Sequence, residues 1–300
     1  MRCFPQEFSS PMSGEDKNLA RLRGQIDDID DQIHDLLMKR TEIAGQIGPL
    51  KGGNNGTMRP GREAVVLRRL VARHHGDLPR ALIVRIWREI FSANTALQGP
   101  LAVAVYAPEG TFGYRNLARD HFGWRTPIIA FRSAAQVLEA ITEGKANVAV
   151  LPVPHGDETG PWWRNLARDG AEVPRIIARL PFAVADEPRG DGPEALAIGI
   201  AVPESTGQDH SFLAIETDEV ISRSQLKDLL TRAGLEALDI QVCEDGGRSL
   251  HLIEVEGFVA AGDRRLSRLL DLGEDRLTHV WAVGGFAMPL SLEDMGNGAG

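Results

Sequence analysis

Cysteine is scarce in this chain: Cys3 and Cys243 are the only two, and they lie far apart in sequence. They supply neither a disulfide framework nor a metal cluster, so no metal site is expected. Basic charge is also short. Lys and Arg number 33 against 42 Asp and Glu, for a formal net charge of −9. A nucleic-acid binder usually shows a basic face, so no nucleic-acid partner is expected, although a small cationic pocket is compatible with this balance. Long apolar runs are missing too. No stretch approaches a membrane span, and Met1 to Asn18 lacks the apolar core of a signal peptide. The expectation is a cytoplasmic protein with no membrane partner. What is present is an ordinary globular composition, 43% hydrophobic and 25% charged, in 300 residues, enough for two or three small domains.

The first long helix carries an arginine where its pattern demands a hydrophobe. From Leu22 the apolar residues run Ile26, Ile29, Ile33 and Leu36, then Arg40, then Ile43 and Ile47. The spacing alternates four and three, the stripe of a helix packed in a bundle. An unpaired buried charge is strongly destabilising, so a guanidinium on that stripe needs an anionic partner or must snorkel to a bundle edge. Lys51 lies about 20° around the same ideal helix, with Pro49 between to kink the last turn. Two cations on one inner face suggest a pocket for an anionic ligand.

Three architectures succeed one another along the chain. Residues 1–17 mix Pro, Ser, Gly and charges and read as a loose tail. The region 18–99 is helical. A first helix spans Lys17 to Lys51 and stops at Gly52-Gly53-Asn54-Asn55-Gly56. A second covers Gly61 to His75. A third starts at Asp77-Leu78-Pro79, carries Leu82, Ile83, Ile86, Trp87, Ile90 and Phe91, and ends near Gln98. One helix of about 50 Å cannot bury its apolar stripe against two shorter ones, so a homodimer is expected. Residues 100–206 read as a small α/β domain: Leu101–Val153 alternates as βαβαβ, the pattern of a small parallel sheet, and strands at Arg175–Val184 and Ala195–Val202 follow. Residues 207–290 fit a ferredoxin-like βαββαβ unit. Residues 291–300 read as a second loose tail. The fold class expected is therefore multidomain: an all-α domain, a small α/β domain and a ferredoxin-like α+β domain.

The helical region resembles the all-helical class of chorismate mutase. The resemblance rests on "LARLRGQIDDIDDQIHDLLMKR", "IGPLK", "RPGREAVVLRRL" and "IWREIFSANTALQ", in that order and at those intervals. Such enzymes convert chorismate to prephenate by a Claisen rearrangement within one dianionic molecule. The chemistry needs no nucleophile, metal or redox cofactor, only a held conformer and stabilised charge as the ether bond breaks. By resemblance, Arg23 and Arg40 bind carboxylates with Arg62 supporting, Lys51 and Gln98 donate to the ether oxygen, and Glu63 accepts from the substrate hydroxyl. Asn94 stands one turn before Gln98 on the same face, where the family often has serine. Arg59 stands where the family has an acid. Arg23 and Arg40 point about 260° apart around one helix and cannot aim at one substrate. The family resolves this with an intertwined dimer, in which the first arginine enters the partner's site.

The order of the three regions resembles the bifunctional chorismate mutase–prephenate dehydratase. "YAPEGTFGYRNLA" is similar to the dehydratase's opening glycine motif and "VAVLPVP" to a later strand. The catalytic residues are missing. Pro154 and His155 stand where that family has a Glu-Asn pair, and its Thr-Arg-Phe motif has no counterpart near Ala195–Ala201. Losing that hydroxyl and arginine should abolish dehydration, so the α/β region reads as a reduced, periplasmic-binding-like remnant. Gly110 reads as a helix start and His155 as part of a polar loop. The last region resembles the ACT regulatory domain, with Ser222-Arg223-Ser224 and the tract around Cys243-Glu244-Asp245 replacing its ligand signatures. Its expected role is structural or dimerising. The expected function is chorismate mutase. The alternatives are a bifunctional enzyme that keeps dehydratase activity and a catalytically silent binding or regulatory protein.

Overall fold

The computed structural model describes residues 14–50, 58–109, 112–156, 161–183, 193–201, 204–218, 221–245 and 247–296. It falls into two compact units, Met1–Gly52 and Gly53–Gly300. The first is a single helix, α1 (Gly14–Leu50), with Glu15 and Asp16 favourably placed in its first turn. Its apolar residues stay in water: Leu22, Ile26, Ile29, Ile33 and Leu36 are 44–66% exposed. A continuous stripe of that kind leaves burial to be completed elsewhere.

The second unit opens with α2 (Pro60–Arg73) and α3 (Arg80–Gln98). Pro60 starts α2, where a missing N–H costs nothing. The buried line of α3 is Val84, Arg88, Phe91, Ser92 and Thr95, while Leu82 and Ile86, the more apolar line, remain exposed. α2 and α3 belong to one unit with the strands and helices after Gln98, and α1 stands as its own unit.

Strand and helix then alternate through β1 (Val103–Tyr106), α4 (Gly113–Phe122), β2 (Ile128–Phe131), α5 (Ala134–Thr142) and β3 (Val148–Pro152). β1 pairs in parallel with both β2 and β3. Val103, Ala104, Val105, Val148, Ala149 and Val150 are all fully buried, as strands covered on both faces must be. After a short 3-10 turn at Trp162–Leu166 come β4 (Arg175–Leu180) and β5 (Ala195–Gly199). The parallel sheet expected of the first three strands is thus present, and the strand expected at Ala195–Val202 joins it as β5, antiparallel to both β3 and β4. β4 stops before Pro181, which has no N–H to give a ladder.

The remaining elements are β6 (Asp209–Thr217), α6 (Arg223–Ala233), β7 (Ala237–Asp245), β8 (Arg248–Glu256), α7 (Arg264–Gly273) and β9 (Leu277–Ala287). This is the expected βαββαβ order, with α6 and α7 over one face of β9-β6-β8-β7. The α/β and ferredoxin-like regions do not form separate sheets. Among the described residues nine strands form one sheet, ordered β2-β1-β3-β5-β4-β9-β6-β8-β7. Between the named strands the seam is one parallel pair, Ile176 with Gly284, and an isolated parallel bridge joins Ala183 to Leu290 beyond them. A Cβ on Gly284, at φ +120°, would sit 2.3 Å from the Ile176 carbonyl oxygen, so the two backbones meet there because this residue is glycine.

The expected tail at 291–300 is also corrected over its described part. Ser291 N donates to the Asp294 carboxylate at 2.8 Å, and Arg80 donates to the Asp294 carbonyl at 2.9 Å. Met295 is buried beside Ala64, Leu67 and Val71 of α2 and Phe182 beyond β4. No apolar periodicity marks these residues, because one methionine filling a gap leaves none.

Candidate active site

Two of the expected residues, Arg23 and Arg40, lie on α1, Arg23 exposed and Arg40 half-buried. Lys51 lies outside the described residues, as does Gly110. Arg59, Arg62, Glu63, Asn94 and Gln98 belong to the second unit.

Arg59 immediately precedes α2 and forms an ion pair with Glu204, so its charge is already answered within this unit. Arg62, in the first turn of α2, is exposed. Glu63 sits beside it in that turn, where a carboxylate also meets the positive end of the helix dipole. Its Oε2 accepts from Nη1 of Arg88 on α3 at 2.8 Å. Both groups are withdrawn from water, the Arg88 side chain at 5% exposure and Glu63 at 19%. Burial lowers the Arg88 pKa from its ordinary value and the Glu63 carboxylate opposes that shift; a guanidinium stays charged throughout.

Asn94 is buried. Its Nδ2 donates to the Ile90 carbonyl one turn back at 2.7 Å, and its Oδ1 has no hydrogen-bond partner. The second N–H of that amide is left to donate to a ligand. Gln98 is the last residue of α3 and is half-buried. The fold thus brings Glu63 against α3 and sets Asn94 and Gln98 one turn apart on that helix, while Arg59 is engaged with Glu204.

The structure adds two functional candidates to those expected from the sequence. Arg88 falls on the buried line of α3 four residues after Val84 and three before Phe91, the same anomaly that marks Arg40 on α1. That signal is legible in the sequence. His121 of α4 carries none, because nothing in its neighbourhood marks it. It lines a small cleft together with Glu63, Phe91 and Thr95. Burial first, and the Arg88 charge second, hold the imidazole pKa well below its usual value, so it is neutral. The close packing of α3 on α4 that creates this cleft depends on Gly123, at φ +83°, whose Cβ would lie 2.6 Å from Ser92.

Residues 22–99 match the family chorismate mutase type II. The bifunctional chorismate mutase/prephenate dehydratase of Neisseria gonorrhoeae is 35% identical over 143 residues, which are 48% of this chain and 39% of that protein. That of Stutzerimonas stutzeri is 33% identical over 150 residues, 48% of this chain and 41% of that one. The match thus spans about two fifths of the length of these curated relatives. Among solved structures, the prephenate dehydratase from Arthrobacter aurescens in complex with L-Phe aligns at TM-score 0.47 and 15% identity, covering 64% of this chain and 92% of that one. Among the described residues no helix is long and apolar enough to cross a membrane. The chain is thus similar over residues 22–99 to the chorismate mutase type II family, and over about half its length to bifunctional chorismate mutase/prephenate dehydratases.

Proposed function

We propose that the chain is a cytoplasmic chorismate mutase, rearranging chorismate to prephenate at the branch toward phenylalanine and tyrosine. One observation carries the reading: the family match over residues 22–99 encloses every residue type the rearrangement needs. Arg23 and Arg40 meet the two carboxylates with Arg62 in support. Lys51 and Gln98 donate to the ether oxygen as it gains charge, and Glu63 accepts from the hydroxyl. Asn94 and Arg59 complete the substrate contacts. The exposed stripe of α1, Leu22 to Ile47 at 41–66% exposure, supports a homodimer in which Arg23 serves the partner's site.

The test is chorismate consumption by purified protein, with acid treatment of the product. Prephenate, seen as phenylpyruvate only after acid, is the expected result. Phenylpyruvate without acid would mark dehydratase activity, and no consumption would leave a silent binding protein. Arg40→Ala should lose transition-state stabilisation on the order of 3–5 kcal/mol while the protein stays helical. A variant within about tenfold of the parent, only about 1.4 kcal/mol, would remove Arg40 from the site.

A further inference from the structure

Among the described residues, two side chains that carry a full charge at neutral pH are buried to 7% exposure or less, Arg88 and Asp209. They are satisfied very differently. The Asp209 carboxylate accepts from Ser205 Oγ, from the Thr206 backbone and hydroxyl, and from Gly207 N, so its turn is self-sufficient. Arg88 has Glu63 as its ion-pair partner, at 2.8 Å, and its buried Nε has no hydrogen-bond partner. Its guanidinium carbon lies 5.0 Å from the centroid of the Phe182 ring. His121 lines the same cleft as Glu63 and is neutral, so it does not compete for the carboxylate.

A buried ion pair is weak evidence of stabilisation. Desolvating both ions costs about what their attraction returns, and a hydrocarbon pair of the same volume often does as well. What the pair does do is act on Glu63. A glutamate has three side-chain torsions, and a bond from a fixed guanidinium to Oε2 removes that freedom and favours the ionised carboxylate, the form that accepts a hydroxyl proton. Arg88 is itself fixed from the far side. Phe182 comes directly after Pro181, just beyond β4, and its carbonyl accepts from Leu290 N at 2.7 Å.

We propose that Arg88 is a positioning residue for the mutase reaction: pressed from the sheet side by Phe182, it presets the Glu63 carboxylate that receives the substrate hydroxyl. This rests on the mutase reading of residues 22–99. It also makes that activity depend on a residue far outside the matched 22–99 segment.

The test is a double-mutant cycle on the full chain, reading kcat/KM for chorismate and the thermal midpoint in parallel. The variants are Arg88→Met, Glu63→Gln, their combination, and Arg88→Lys. If Arg88 acts through Glu63, the double variant is no worse than Glu63→Gln alone, within about threefold. Arg88→Met alone falls by about tenfold or more, and Arg88→Lys, which restores the charge, recovers part of that loss. Should Arg88→Met fail to fold, the comparison of the double variant with Glu63→Gln still decides, because it leaves no unpaired ion. Losses that multiply in the double variant, or an Arg88→Met protein within about threefold of the parent, would overturn the proposal. Phe182→Leu should reproduce a weaker form of the Arg88→Met loss, and full activity there would remove the sheet's part in it. A parent protein with no mutase activity defeats the underlying reading and this inference with it, an outcome visible before any variant is made.

Discussion

At Gln98 the difference between an amide and a carboxylate decides which pH the proposed reaction prefers. The amide donates at any ordinary pH, whereas a glutamate donates only when protonated, and its unperturbed pKa of about 4.3 leaves it ionised at neutrality. It would then repel an ether oxygen gaining negative charge, and it would sit at the unfavourable end of the α3 dipole. Gln98→Glu is expected to be slow at neutral pH and faster as pH falls, over a range where the parent is nearly flat. A variant with the parent's profile and full neutral activity would show that Gln98 does not touch the reacting oxygen. His121 makes a second expectation, about stability. Its pKa is held well below 6.5 in the folded chain by burial and then by Arg88. The unfolded chain takes up a proton near its ordinary value, so the stability from this residue is present above about pH 6.5 and is lost as pH falls below it. The slope approaches about 1.4 kcal/mol per pH unit for one proton. Urea denaturation of parent and His121→Leu at pH 7, 6 and 5 should show a shallower loss in the variant; parallel losses would mean that His121 is not held neutral.

At the scale of elements, the helices divide into those whose ends are written in sequence and one whose partner is not. Ser222 caps α6: its Oγ accepts from Gln225 N at 3.2 Å, while Gln225 Oε1 accepts from Ser222 N at 3.0 Å. The Ser-x-x-Gln spacing alone announces this reciprocal pair. α1 is the opposite case. Its apolar stripe is legible and its length is close to expectation, but the stripe is exposed in one chain. A dimer exchanging α1 has a consequence for activity. Inactive Arg23→Ala and Lys51→Ala proteins, mixed and allowed to exchange subunits, should recover part of the mutase activity, because both lesions fall in one site of the mixed dimer and the other is left intact. Demonstrated exchange without recovery would place Arg23 in its own chain's site.

For the whole molecule, the decisive contact is the seam that makes one nine-stranded sheet of two regions expected to be separate. Between the named strands it is one parallel pair at Gly284, followed by the isolated bridge of Ala183 with Leu290. Gly284→Ala adds a Cβ 2.3 Å from the Ile176 carbonyl oxygen and 2.4 Å from its nitrogen, at a φ of +120°. A backbone atom cannot swing aside as a side-chain tip can, so the variant should lose on the order of 2–4 kcal/mol of stability. Denaturation of the purified variant measures this, and a change below about 0.5 kcal/mol would show that the seam yields.

Local pattern was enough for what depends on neighbours in the chain. The four-three stripe of α1, the uninterrupted apolar run Val148–Leu151 of β3 and the capping box at Ser222 each arise from residues a few positions apart. So does the charge anomaly at Arg40, and Arg88 carries the same signal on α3. Tertiary structure alone decided what depends on residues distant in sequence. The antiparallel direction of β5 comes with its place between β3 and β4, strands that precede it by more than forty and by about twenty residues. The merging of two regions needs a glycine opposite Ile176, more than a hundred residues away. The ion pair of Glu63 with Arg88, the Phe182 ring behind it and the buried Met295 join segments that no periodicity relates. The physical reason is range: hydrogen-bonded turns and side-chain periodicity act over a few residues, whereas desolvation is a property of whatever the finished fold packs around a group.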